Sequence, residues 1–125
     1  MSKARRPARF DAELVEGHKG VVVAIVPFDP EEVFDRKPVR LAGRRHGWPV
    51  SGSVNGTKFD GYVGERWGRF FIIVDADLRR AAGVGAGDRV AMMVAPCDKP
   101  GAVAKAIEQS RQTTEPSKPR KDVLL

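Results

Sequence analysis

The sequence predicts a mostly β fold: a small barrel or pseudobarrel with short helices at its ends. Three observations carry this. Apolar runs rich in β-branched residues come in blocks of strand length, at residues 21–26, 70–74 and 90–94. Two connections between strand-like segments read as tight hairpins, one at Asn55-Gly56 and one within residues 64–68. The helix-like stretches are short, and they do not alternate with strands as a parallel α/β sheet requires.

Residues 9–15 alternate apolar and polar side chains, with Phe10, Ala12 and Leu14 on one face, which predicts a half-buried strand. A turn at 16–20 leads to the unbroken apolar run 21–26, a strand buried on both faces and stopped by Pro27. Asp29 is placed as a helix N-cap, with Pro30 at the first helical position and Glu31 and Glu32 in the first turn, so a short helix runs to Phe34. Residues 36–48 form a long, basic, loop-like segment with a short strand at 39–42. Residues 49–54 and 57–63 flank Asn55-Gly56, the favoured type I′ turn because both central positions need φ > 0. A second hairpin turns within 64–68 and leaves through 69–74.

Asp75 caps a second helix that ends at Gly83, with Arg79 and Arg80 in its last turn. Residues 89–94 are a strand ended by Pro96, and 101–111 form a modest helix. Residues 1–8 read as a disordered basic arm, 9–98 as the barrel domain, and 99–125 as a short helix followed by a polar tail containing Pro116 and Pro119. The runs at 21–26, 70–74 and 90–94 are apolar on both sides, whereas a small barrel covers only its inner face. The extra face calls for a helix or a second subunit, which points to a homodimer.

Chain length and composition suit one soluble globular domain: 125 residues, 42% hydrophobic and 30% charged. No apolar run approaches the roughly 20 residues of a membrane span, and no signal peptide is expected at the basic N-terminus. Cys97 is the single cysteine, which excludes an intramolecular disulfide and fits a reducing cytoplasm. The net charge of +6 sits at the ends. Residues 1–9 carry Lys3, Arg5, Arg6 and Arg9 with no acid, and residues 99–125 carry six basic against three acidic residues. Between them the charge is close to balanced but uneven. Residues 10–35 hold seven acids and one lysine, and residues 36–59 hold Arg36, Lys37, Arg40, Arg44, Arg45 and Lys58 with no acid. Two solvated loops of opposite sign facing each other, or a basic face for an anionic partner, both satisfy this pattern.

The stretch Gly83-Val84-Gly85-Ala86-Gly87-Asp88 invites a phosphate-cradle reading. Its glycines miss the G-x-G-x-x-G spacing, no Gly-Lys-Ser/Thr follows, and the stretch leaves a helix and enters a strand, so no helix N-terminus faces an anion. A helix-ending glycine, a turn glycine and an Asx-type turn at Asp88 account for it. The same residues carry a resemblance. Leu78-Arg79-Arg80-Ala81-Ala82-Gly83 followed by Gly87-Asp88-Arg89-Val90 resembles the helix, glycine and strand element of AbrB-like swapped-hairpin barrels. Phe10 to Leu14, Val26-Pro27-Phe28-Asp29 with Val33-Phe34, and Val50 to Gly56 with Phe59 extend it. The whole pattern, over roughly residues 9–98, is similar to the small bacterial family called domain of unknown function nineteen-oh-five. The resemblance implies a double-split β-barrel akin to AbrB-type domains, with no established activity. Two departures from that family are the longer, more basic segment 36–48 and a short tail in place of the bacteriocin-protection-type domain that often follows.

No catalytic constellation is visible. His18 and His46 with one cysteine make no zinc pattern, Ser51 and Ser53 lack triad spacing, and Asp75 and Asp77 are explained by helix capping. No cofactor is expected. The segments that suggest recognition are Glu65-Arg66-Trp67-Gly68-Arg69 and Arg44-Arg45-His46-Gly47-Trp48, where basic residues interleave with an aromatic. Trp67 either projects from its hairpin or folds back on it. The expected contacts to an anionic partner are Arg44, Arg45, His46, Trp48, Arg66, Trp67 and Arg69, if the two segments lie together. The sequence thus reads as a non-enzymatic cytoplasmic binding or interaction module. A protein partner or its own copies come first, nucleic acid bound through the basic loops second, and a small ligand in the barrel mouth third.

Overall fold

The computed structural model describes residues 7–43 and 45–114. Most of the expected N-terminal arm, Arg44 and the tail from residue 115 lie outside the described residues. Seven strands run in the order β1 (Ala8–Glu16), β2 (Val22–Val26), β3 (Val39–Arg40), β4 (His46–Val54), β5 (Thr57–Arg66), β6 (Arg69–Ile73) and β7 (Arg89–Pro96). Among the described residues, a 3-10 turn at His18–Gly20 and the helices α1 (Pro30–Phe34) and α2 (Ala76–Ala82) lie between strands, and a third helix, α3 (Pro100–Thr114), follows β7. Neighbouring strands are antiparallel in the order β4, β5, β6, β2, β1, β7, and β7 pairs back to β4. The result is a closed six-stranded barrel, with β3 as an extra strand beside the start of β4.

Register explains the core. Leu14 faces Ala24 across β1 and β2, Ala24 faces Ile72, Ile72 faces Val63, and Val63 faces Trp48. All five are buried and form a belt around the lumen. Phe10, Met92 and Val54 continue it through the closing pairs β1–β7 and β7–β4. Fully burying side chains of this size contributes about 1.5–3 kcal/mol each, so the lumen supplies most of the driving force for folding.

The closing pair needs a residue without a side chain. Gly52 lies opposite Val94, and a Cβ there would overlap the Met93 carbonyl oxygen and sit 2.9 Å from the Val94 Cα. Strand β4 is thereby pressed between β5 and β7 along residues 50–54.

Each end of the barrel is capped by a short helix. The Asp29 side chain accepts the Glu31 amide at 2.9 Å and Pro30 opens α1, as its sequence predicts. Phe34 is fully buried, and Phe10, Phe28 and Phe34 stack edge to face at 5.5 and 5.8 Å. At the other end Asp75 Oδ1 accepts the Leu78 amide at 2.9 Å, and Gly83 closes α2 at φ 71°. The amides of Val84, Gly85, Gly87 and Asp88 donate to Arg79 O, Asp88 Oδ2, Leu14 O and Gly85 O. The glycine stretch thus spends its donors on the chain itself, on the way into β7.

Helix α3 covers the second apolar face. It runs to Thr114, past the expected end at residue 111, because no proline interrupts it before Pro116. Ala102, Ala106, Gln109 and Ser110 are buried on one side of it. Ala106 packs with Leu41, Tyr62 and Ile73 on the outer side of the barrel, with Val21, Val23, Phe71 and Ile107 around them. Of the outward apolar residues of β2 and β6, which pointed to a second subunit, Val23, Phe71 and Ile73 are met here by a helix of the same chain, while Ile25 stays exposed. Small residues let α3 approach closely, and polar contacts fix it. Ser110 Oγ accepts the Ala42 amide at 3.0 Å, Gln109 Nε2 donates to Asp75 Oδ2 at 3.2 Å, and Lys105 Nζ lies 3.4 Å from the same oxygen.

Asp75 therefore holds both α2 and α3. Burial pushes its carboxyl up, but the Leu78 amide, the Lys105 charge and the side-chain bonds from Lys105 and Gln109 outweigh this, and the pKa is lowered. A carboxyl lowered on folding contributes stability above its ordinary value of 3.8 and loses it as pH falls through the lower folded-state value. Asp75→Asn is expected to be less stable than the parent at pH 7, with the gap closing in urea titrations below that ordinary value. Gly52→Ala is expected to cost on the order of 3 kcal/mol in urea unfolding, whereas Gly85→Ala, with no atom within 4 Å of its Cβ, stays within about 0.5 kcal/mol.

Candidate functional site

The two basic, aromatic segments lie side by side. Gly47 of β4 pairs with Gly64 of β5, so the β3–β4 turn and the β5–β6 turn project from the same end of the barrel. The first turn is tied by Leu41 N–H to Arg45 O at 2.8 Å and Arg45 N–H to Ala42 O at 3.1 Å. The second is only two residues long, Trp67-Gly68, because β5 continues through Arg66 and β6 starts at Arg69. Sequence reasoning had spread this turn over residues 64–68.

At its tip Trp67 is 91% exposed and has φ 53°, with Gly68 at φ 78°. These are the two left-handed positions of a type I′ turn, where glycine, asparagine and aspartate are favoured and a bulky ring is strained. Trp67 therefore projects, and does not fold back onto its hairpin. The Arg66 guanidinium lies over the indole, 5.3 Å from the ring centroid. Arg66 and Arg69 are exposed and directly opposite each other in the β5–β6 ladder. Like charges in that position repel. By strand parity they share the outer face with Phe71, whose ring packs edge to face on Tyr62 at 6.3 Å.

On the neighbouring strands, exposed His46 pairs with exposed Arg40, which sequence reasoning had not placed among the contacts. Arg40 Nε donates to Gly43 O at 3.4 Å. Arg45 is half-buried, and continuing the Gly47–Gly64 register by two residues brings it toward Arg66. Arg44 lies outside the described residues.

Trp48 is a correction. It is 4% exposed, faces Val63 across the lumen wall, and stacks edge to face on Phe70 at 5.9 Å. Its Nε1 donates to Arg36 O at 2.8 Å, so it pins the start of the basic segment to the core. Strand parity decides this, since Trp48, Val50 and Val54 fall on the inward side of β4.

Part of the basic segment is neutralised locally. Arg36 pairs with Asp98 at 2.8 Å and Lys37 with Glu31 at 3.2 Å. The acidic and basic segments thus do meet, at α1, where Asp29, Glu31, Glu32, Asp35, Arg36 and Lys37 line an open hollow of about 560 Å³. The hollow lies against α1 and is distinct from the lumen, whose nearby end is occupied by Phe34 and Trp48.

Among the described residues, no three His, Cys, Asp or Glu side chains come together as a metal site, and no helix is long and apolar enough to cross a membrane. Cys97 is half-buried as a free thiol, and its amide donates to Pro49 O at 3.0 Å. The carboxyl with a shifted pKa, Asp75, belongs to the helix junction and not to the rim. No curated protein matches the chain. Residues 10–94, which take in β1 from its third residue and nearly all of β7, match the family described as "Domain of unknown function (DUF1905)", and the chain belongs to that family.

Proposed function

We propose that the protein is a non-enzymatic binding module that takes an anionic macromolecule on the rim around Trp67. One observation carries this reading: a tryptophan held 91% exposed in a strained backbone conformation, between two arginines that face each other. Residues held in sparsely populated backbone regions cost about 1–3 kcal/mol each and persist where the surroundings or the function require them. Nothing in the packing of the hairpin requires an indole at its tip. An exposed ring beside cations offers a partner apolar area and charge together, the composition of binding hot spots. Asp75, the carboxyl with a shifted pKa, is engaged in joining α2 to α3, which favours a binding role over acid–base catalysis.

Two outcomes test this with the full chain. Inorganic polyphosphate, followed by anisotropy of a labelled sample, is expected to bind with strong salt dependence, and Arg66→Ala with Arg69→Ala is expected to lower affinity on the order of tenfold. Unchanged affinity in that double variant would assign the binding to the basic ends of the chain and remove the rim from the account. Trp67→Asn is expected to raise stability by roughly 1 kcal/mol in urea unfolding, because asparagine suits the left-handed turn position. A loss of stability there would show that the ring serves the fold.

A further inference from the structure

The geometry points to single-stranded nucleic acid as the anionic partner, with an unpaired base stacked on Trp67 and the adjoining phosphates held by Arg66 and Arg69. This rests on the anionic-partner reading and narrows it to one chemistry.

Two unfavourable features coincide in four residues, and each says something about the ligand. The first is the indole itself, presented to solvent on a two-residue turn. It has the Arg66 guanidinium over it at 5.3 Å, and its remaining surface is open. A flat ring presented this way matches a flat ring in the partner, and base–aromatic stacking tolerates any base because every base has a π-face. The second is the Arg66–Arg69 pair, two like charges opposite each other on one ladder. An anion between them converts repulsion into two charge-assisted contacts. A ligand that relieves both features must carry a ring and an anion within the width of one hairpin tip, which is the repeat of a nucleotide.

Alternation divides the rim into two sides. Glu65, exposed beside Arg66, falls on the opposite side of β5 from the Arg66–Arg69 pair and leaves the face of that pair cationic. Gly47 pairs with Gly64, so His46 and its ladder partner Arg40 fall on the side of Glu65. The match therefore rests on the ring and the two opposed arginines. A duplex fits less well, since its base faces are covered by their neighbours in the stack and an indole at a hairpin tip meets only phosphates and groove edges. An acidic peptide supplies the charge without a regular supply of rings.

The chain carries its own reporter. Its two tryptophans differ widely in exposure, Trp48 at 4% and Trp67 at 91%, so water-exposed emission belongs to Trp67. The full chain is titrated with a single-stranded deoxyoligonucleotide of about 10 nucleotides, the same strand annealed to its complement, inorganic polyphosphate and polyglutamate. The single strand is expected to quench the Trp67 emission and to bind about tenfold more tightly than the duplex. Trp67→Asn is expected to lose about tenfold toward the single strand and nothing toward polyphosphate, while Trp67→Phe retains most of the affinity. Arg66→Gln and Arg69→Gln are each expected to reduce the slope of log affinity against log salt by about 0.7. Equal affinity for single strand and polyphosphate with unchanged Trp67 emission overturns the nucleic-acid inference and leaves the anionic-partner reading intact. Quenching and tighter binding by polyglutamate overturn it in favour of an acidic protein partner. Absence of binding to all four probes overturns both readings.

Discussion

Everything in this fold depends on β7 fitting between β1 and β4. Residues 8–13 of β1 take one edge of β7 and residues 50–54 of β4 take the other, and without that double pairing the sheet would be open. The fit is close enough that position 52 has no room for a single carbon beyond the backbone. Closure in turn brings the inward residues of six strands onto one apolar belt and fixes where each turn projects. The rim is a consequence of this closure. Trp67, Arg66 and Arg69 sit at the end of the β5–β6 ladder, on a strand whose other edge is held by the eight-pair β4–β5 ladder, so their relative positions are set by backbone hydrogen bonds below them.

That rigidity makes the unfavourable chemistry at the tip tolerable. A tryptophan in the left-handed region and two opposed arginines would open an isolated hairpin, which is marginal in water at best. Here β5 is paired along both sides, and Tyr62 beneath the tip is buried against α3 and Phe71. The cost of the tip is borne by burial elsewhere, which is how binding surfaces hold groups that do not stabilise the fold. α3 contributes to this although it lies outside the segment that matches the family, because it covers the outer side of the strands that carry the rim.

Local chemistry was legible in the sequence and pairing was not. Asp29 with Pro30, Asn55-Gly56, and Asp75 with Gly83 each act within a few residues, and each is found in its expected role. The barrel class followed from strand-length apolar runs. The pairing of β7 with β1 joins residues more than 70 positions apart, such as Ala8 and Val94, its pairing with β4 is also far from local, and no local signal encodes either. The two tryptophans show the same division. Both sit among basic residues, so composition treats them alike. Counting back from the Asn55-Gly56 turn in steps of two gives Val54, Gly52, Val50 and Trp48, which places Trp48 on the inward face, whereas Trp67 sits in a turn where alternation stops. Alternation was the signal that separates them, and charge patterning obscured it. The second apolar face was also visible in advance, but its cover was not, because α3 meets it with alanines and a few polar contacts and no conspicuous apolar stripe of its own.

The pairing of β1 with β7 also sets the order in which this chain can fold during synthesis. β1 is made first, yet most of it pairs with a strand that ends at Pro96, and the other edge of β7 closes on β4. Until that last strand has left the ribosome, β1 and β4 each present an unpaired edge, and unpaired edges are templates for adventitious strand addition. Non-local closure of this kind is slow, because the loop entropy is lost before the contacts are gained. The domain is therefore completed as one late event, and the interval before it is when the nascent chain is most exposed to its neighbours.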